Sequence, residues 1–197
     1  MLMKEAGTLR MDNVQISDVA MGVEAIKGNL TIKNGTIGFN DGANNYGVKV
    51  GKLVESATLT NVTISGGGNG KGVYGEGAKA VTLTKVDISN VSEGVWVKGG
   101  GTLTIKEGSI TFKSGKDNYG IGVGKSVTSA TLDRVTIAGG GDGKGVIMEG
   151  TKMEMSGGSI SNIELGVYVG GAVTNASLTD VNISQVEKGV LIKKGNL

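Results

Sequence analysis

One short phrase returns eight times along this chain, and each return ends on isoleucine: Ile16, Ile37, Ile64, Ile88, Ile110, Ile137, Ile160 and Ile183, spaced 21 to 27 residues apart. Six to ten residues after each isoleucine stands a glycine followed by Val or Ile, at Gly22, Gly47, Gly72, Gly94, Gly120, Gly145, Gly166 and Gly189. A unit repeated at this period cannot bury its apolar side alone and must stack on its neighbours, which makes the chain a solenoid. The functional question becomes which face of the stack makes contacts.

One repeat shows the local structure. In residues 57–64, Ala57, Leu59, Val62 and Ile64 are apolar, with Thr58, Thr60 and Thr63 between them. This alternation, interrupted at Asn61, predicts two short strands joined by a corner. Gly72-Val73 opens a third strand, whose alternation is clearest in Val95-Trp96-Val97. The expected fold is all-β: a single-stranded right-handed parallel β-helix of about eight rungs, each with three short strands. The strict six-residue period of left-handed helices is missing, and parallel crossovers favour the right hand.

Aligning the repeats gives the core columns. One holds Met11, Ile32, Leu59, Leu83, Ile105, Leu132, Met155 and Leu178, and the isoleucines form another. The corner column is Asn13, Asn34, Asn61, Lys85, Glu107, Arg134, Gly157 and Asp180, in which Asn and Gly tolerate left-handed backbone. Between isoleucine and glycine the loops vary. Short loops carry an extra inward residue, Val19, Val91, Ile163 or Val186, and longer ones span 38–46, 65–71, 111–119 and 138–144. Residues 30–77 and 103–150 align without a gap and agree at about 31 positions, the mark of an internal duplication.

The 197 residues read as one domain. The phrase Lys27-Gly28-Asn29-Leu30 returns as Lys194-Gly195-Asn196-Leu197, so the chain is expected to be a piece of a longer solenoid. Bare strand edges at its ends are then expected to associate weakly.

Composition narrows the chemistry. The chain has no histidine and no cysteine, which removes Ser-His-Asp and Cys-His arrangements and the commonest zinc ligands. Carboxylates scatter over the repeats instead of pairing as a glycosidase needs. A non-enzyme is expected, with no metal and no cofactor; a glycan-cleaving β-helix is the third-ranked reading. The glycine runs 66–71 and 139–144, each ending in lysine, look like phosphate loops, but a strand follows each in place of a helix, so they are read as flexible loops. Net charge is +2 with no basic block, which argues against nucleic acid. No apolar run is long enough to span a bilayer, and Met1-Leu2-Met3 leads into no apolar segment of the signal-peptide kind.

One column of the third strand is predicted to face outward: Glu24, Lys49, Tyr74, Trp96, Gly122, Ile147, Tyr168 and Leu191. Tyr74, Trp96, Ile147, Tyr168 and Leu191 form an apolar stripe broken at Gly122, and exposed Trp and Tyr are favoured contact residues. This stripe is the candidate partner-binding site, with the loops 38–46 and 111–119 second. The preference of strands for aromatic residues, or cover by another part of a longer protein, explains the stripe equally well.

The rungs Gly-Thr-Leu-Thr-Ile-Lys (101–106), Ser-Ala-Thr-Leu-Thr-Asn-Val-Thr-Ile (56–64) and Glu-Gly-Val-Trp-Val-Lys-Gly-Gly (93–100) resemble passenger domains of bacterial autotransporters, the Bartonella angiogenic factor A family among them. The resemblance covers essentially the whole chain. It implies a passenger released outside the cell or held at the bacterial surface, with membrane attachment only through a C-terminal barrel elsewhere in the precursor. It further implies a non-enzymatic virulence factor that engages a host receptor of the vascular endothelial growth-factor type and promotes angiogenesis. The alternative is a structural stalk or adhesin scaffold.

Overall fold

In the computed structural model, residues 1–193 are described; they form nineteen strands and no helix. The repeated end motif at 194–197 lies outside the described residues. Every strand pairs in parallel with its counterpart one repeat away, so the chain climbs as a solenoid. The isoleucines form one unbroken ladder, with Ile37 opposite Ile64, Ile64 opposite Ile88, and Ile110 opposite Ile137. Ile37 through Ile160 are fully buried. Ile16 and Ile183, in the outermost rungs, are only half-buried because each lacks a neighbour on one side.

The corner column has the backbone its residues suggest. Asn13, Asn34, Asn61, Lys85, Glu107, Arg134, Gly157 and Asp180 all sit at φ between 51° and 62°. Asparagine stabilises this conformation further by stacking: Asn61 Nδ2 donates to Asn34 Oδ1 at 2.9 Å, and Asn34 Nδ2 to Asp12 Oδ1 at 3.0 Å. Where the column is charged, ions alternate instead, with Glu107 3.6 Å from Lys85 and 3.2 Å from Arg134.

The link between the isoleucine and glycine phrases is steric. A Cβ on Gly72 would lie 2.5 Å from Ile88 Cγ2, one on Gly120 2.5 Å from Ile137 Cγ2, and one on Gly145 2.6 Å from Ile160 Cγ2. Each glycine thus leaves room for the isoleucine of the rung above, so the two phrases recur together.

Three features depart from the sequence reading. A second left-handed corner occurs at Asp18, Asn90, Asn162 and Gln185, in the short-loop rungs only, and turns the chain so that the following Val91 and Ile163 point inward. The long loops also supply an inward residue, Phe39 or Phe112, both buried and paired with Val19 and Val91 in the rungs before them. The glycine run 66–70 is not a loose loop. Gly66, Gly68 and Gly70 are buried, and Asn69 N–H donates to Asp41 Oδ1 at 2.8 Å. At the N-terminal end Leu2–Met3 pairs with Glu24 and Ala25 of the first full rung; at the other end Val190, Leu191 and Ile192 are exposed.

Candidate binding face

The third strands of the rungs form one continuous sheet, and its register places Glu24, Lys49, Tyr74, Trp96, Gly122, Ile147, Tyr168 and Leu191 in a single row. Their neighbours Val48, Val50, Val73, Val95, Val97, Val146 and Val167 are buried, so this row points outward as alternation requires. Tyr74, Trp96, Ile147 and Tyr168 are half-buried, each lying against the sheet; Leu191 is exposed.

A parallel row beside it holds Met21, Tyr46, Lys71, Glu93, Tyr119 and Lys144. Tyr46 and Tyr119, the last residues of the second-choice loops 38–46 and 111–119, belong to the face itself and not to loops apart from it. They precede the glycine by one position, and Gly and the next residue both face the core there, so simple alternation loses phase. A Tyr-Gly-Val or Tyr-Gly-Ile triplet is the signal that could have found them. With them, all four tyrosines and the one tryptophan of the chain lie on this sheet, while both phenylalanines are in the core.

Charged groups interleave with the rings. Lys49 Nζ lies 3.0 Å from Glu24 and 3.9 Å from Glu76, and 5.5 Å from the centre of the Tyr46 ring. The Glu24 hydrogen bond holds the Lys49 ammonium above its usual pKa. Lys98 Nζ stands 5.3 Å from the Tyr74 ring centre. Lys71 pairs with Glu93 at 3.1 Å, and the Tyr119 hydroxyl donates to the other oxygen of Glu93. Burial, reinforced by that carboxylate, pushes the Tyr119 hydroxyl pKa well up. Asn44, Tyr46, Lys49, Lys71 and Tyr74 frame a shallow recess of about 150 Å³.

The break at Gly122 is filled. A Cβ on Gly122 would collide with Trp96 Cε3, lie 2.5 Å from Cζ3, and lie 2.9 Å from Tyr119 Cε2. The indole therefore leans across the rung boundary into the place a side chain would take. Its ring centre is 5.6 Å from that of Tyr119, with a tilt of 58°. The apolar stripe is continuous from Tyr74 through Trp96 to Ile147.

The second-choice loops spend their polar groups on themselves. Asn45 Nδ2 donates to the carbonyls of Asn40 and Asp41, and Asn118 repeats this with Lys113 and Ser114. The backbone N–H of Asn69 holds the Asp41 carboxyl below its usual pKa. Asp87 accepts the N–H and hydroxyl of Ser109, at 2.9 and 2.6 Å. Among the described residues no group of three or more Asp, Glu, His or Cys side chains could hold a metal ion.

The profile of the right-handed β-helix region family matches residues 71–196, well over half of the chain. The chain belongs to the right-handed β-helix family. No curated protein and no solved structure matches it. Membership gives this β-helix its hand and agrees with the parallel, helix-free stack. No helix among the described residues of the β-helix is long and apolar enough to cross a membrane.

Proposed function

We propose that this β-helix is a non-enzymatic binding scaffold, displayed or released outside a bacterial cell, that engages a host-cell receptor protein through its third-sheet face. One observation carries the reading: Tyr46, Tyr74, Trp96, Tyr119 and Tyr168 share that single face, although the solenoid has others to offer. Rings rimmed by paired Lys and Glu have the make-up of a protein contact surface, in which Trp and Tyr dominate the binding energy. The likeness to autotransporter passengers makes the receptor one of the endothelial growth-factor type, with angiogenesis as the outcome. Capture of a receptor from endothelial-cell membranes, with the purified chain as bait, tests this; recovery of no membrane protein above an unrelated β-helix sinks it.

A stalk is the second reading, favoured by the uninterrupted valine, leucine and isoleucine ladders, which make a rod that could hold other segments away from a surface. A chain that captures nothing, yet is needed at full length for the reach of the protein that carries it, would be a stalk.

A further inference from the structure

We infer that Gly122 is a positioning residue for the binding face: by lacking a side chain it sets the pose of Trp96, and so makes one contact surface of two rungs. The inference rests on the binding reading above. Every other member of the outward row, from Glu24 to Leu191, carries a side chain. At Gly122 alone the row is vacant, and the vacancy is occupied from the rung before it by the Trp96 indole. Tyr119, on the same strand as Gly122, closes the far side of that space, and its hydroxyl is tied to Glu93, which Lys71 holds in turn. The ring thus has a fixed neighbour on one side and bare backbone beneath it. Immobilised before contact, it gives up little rotamer freedom on binding.

The chain itself holds the control. Within its internal duplication, residue 122 corresponds to Lys49, which stands between Val48 and Val50 as Gly122 stands between Ile121 and Val123, but faces Glu24 in the rung before it where Gly122 faces Trp96. The strand backbone therefore accepts a lysine at this position once the neighbouring indole gives way, and Gly122 is a departure from the repeat and not a requirement of the strand. With Lys49 in place, the N-terminal copy has a recess and an ion pair; with Gly122, the C-terminal copy has a ring lying across two rungs. The planar indole there suits a partner group that stacks on it, such as an aromatic ring or an arginine guanidinium.

The test is Gly122→Lys, beside Trp96→Ala and the double substitution. Gly122→Lys is expected to melt within a few degrees of the parent, to shift the emission of the only tryptophan toward that of a water-exposed indole, and to weaken receptor capture at least tenfold. In the Trp96→Ala background the same substitution should change binding little, because the group it displaces is already gone. Unchanged emission and unchanged binding in Gly122→Lys overturn the inference and leave the binding face standing, as do losses that simply add to those of Trp96→Ala. Absence of any receptor binding by the parent chain removes both readings together.

Discussion

Phe39 and Gly66 share one space: the Cζ of the ring stands 2.8 Å from where a Cβ on Gly66 would lie. The duplicate rungs repeat the arrangement, with Phe112 Cζ 2.9 Å from the corresponding point on Gly139. A long loop that inserts a ring is followed by a glycine loop that yields to it, and then by a short loop that inserts Val91 or Ile163. This succession is a physical basis for the three-rung pattern in the loop lengths. Gly66→Ala should destabilise the chain by about 1–3 kcal/mol through overpacking, and Phe39→Ala by about 3–5 kcal/mol. Part of the Gly66→Ala cost should lift in a Phe39→Leu background, the remainder being the clash with the Asn90 carbonyl. Urea unfolding of the parent, Gly66→Ala, Phe39→Leu and their double variant checks this; strictly additive costs would disprove the shared space.

Ile110→Ala should cost about 2–5 kcal/mol, since the side chain is 1% exposed and packed against the bare Gly94 of the rung below. Ile183→Ala, in a half-buried terminal position, should cost less. Equal losses at the two sites in denaturant melts would contradict the burial gradient along the stack.

The corner at Asn61 makes a backbone prediction. Its φ is 55°, a left-handed conformation that costs an ordinary L-residue roughly 1–2 kcal/mol. Asn61→Ala is expected to lose about that much, and Asn61→Gly much less. Indistinguishable midpoints for the two variants would remove the strain argument.

Alkaline stability follows from Tyr119. Burial, then the Glu93 hydrogen bond, raise its hydroxyl above the unfolded value of about 10. A group raised on folding stabilises the fold fully below its unfolded pKa and loses that contribution as pH climbs toward the folded one. Unfolding midpoints should therefore fall from about pH 10 upward, and Tyr119→Phe should soften that fall. Lys49 is raised as well, so some decline persists in the variant. Superimposable pH profiles for parent and Tyr119→Phe would clear Tyr119 of the effect.

Binding should depend on the face and not on the stack. Tyr74→Ala with Trp96→Ala is expected to weaken receptor capture by about 2 kcal/mol or more, roughly thirtyfold, while thermal stability falls less than in Ile110→Ala because both side chains are only half-buried. Full binding by the double variant would shift attention to the loops at 38–46 and 111–119.

The sequence by itself determined the rungs, the buried columns, the left-handed corner and the outward row of the third strand. All are consequences of a two-residue period repeated in register, which a chain read one residue at a time displays directly. It did not reveal the second corner at Asp18 and Asn90, since short-range alternation gives no sign of a turn that keeps the next residue inside. Only the tertiary structure brought Tyr119 beside Trp96, placed Phe39 under Gly66, and laid the Trp96 indole over Gly122. Those relationships join residues 23 to 27 positions apart across loops of unequal length, and each depends on a missing side chain. A glycine in a sequence shows that space is free; which neighbour enters that space is decided by the stacking of one rung on the next.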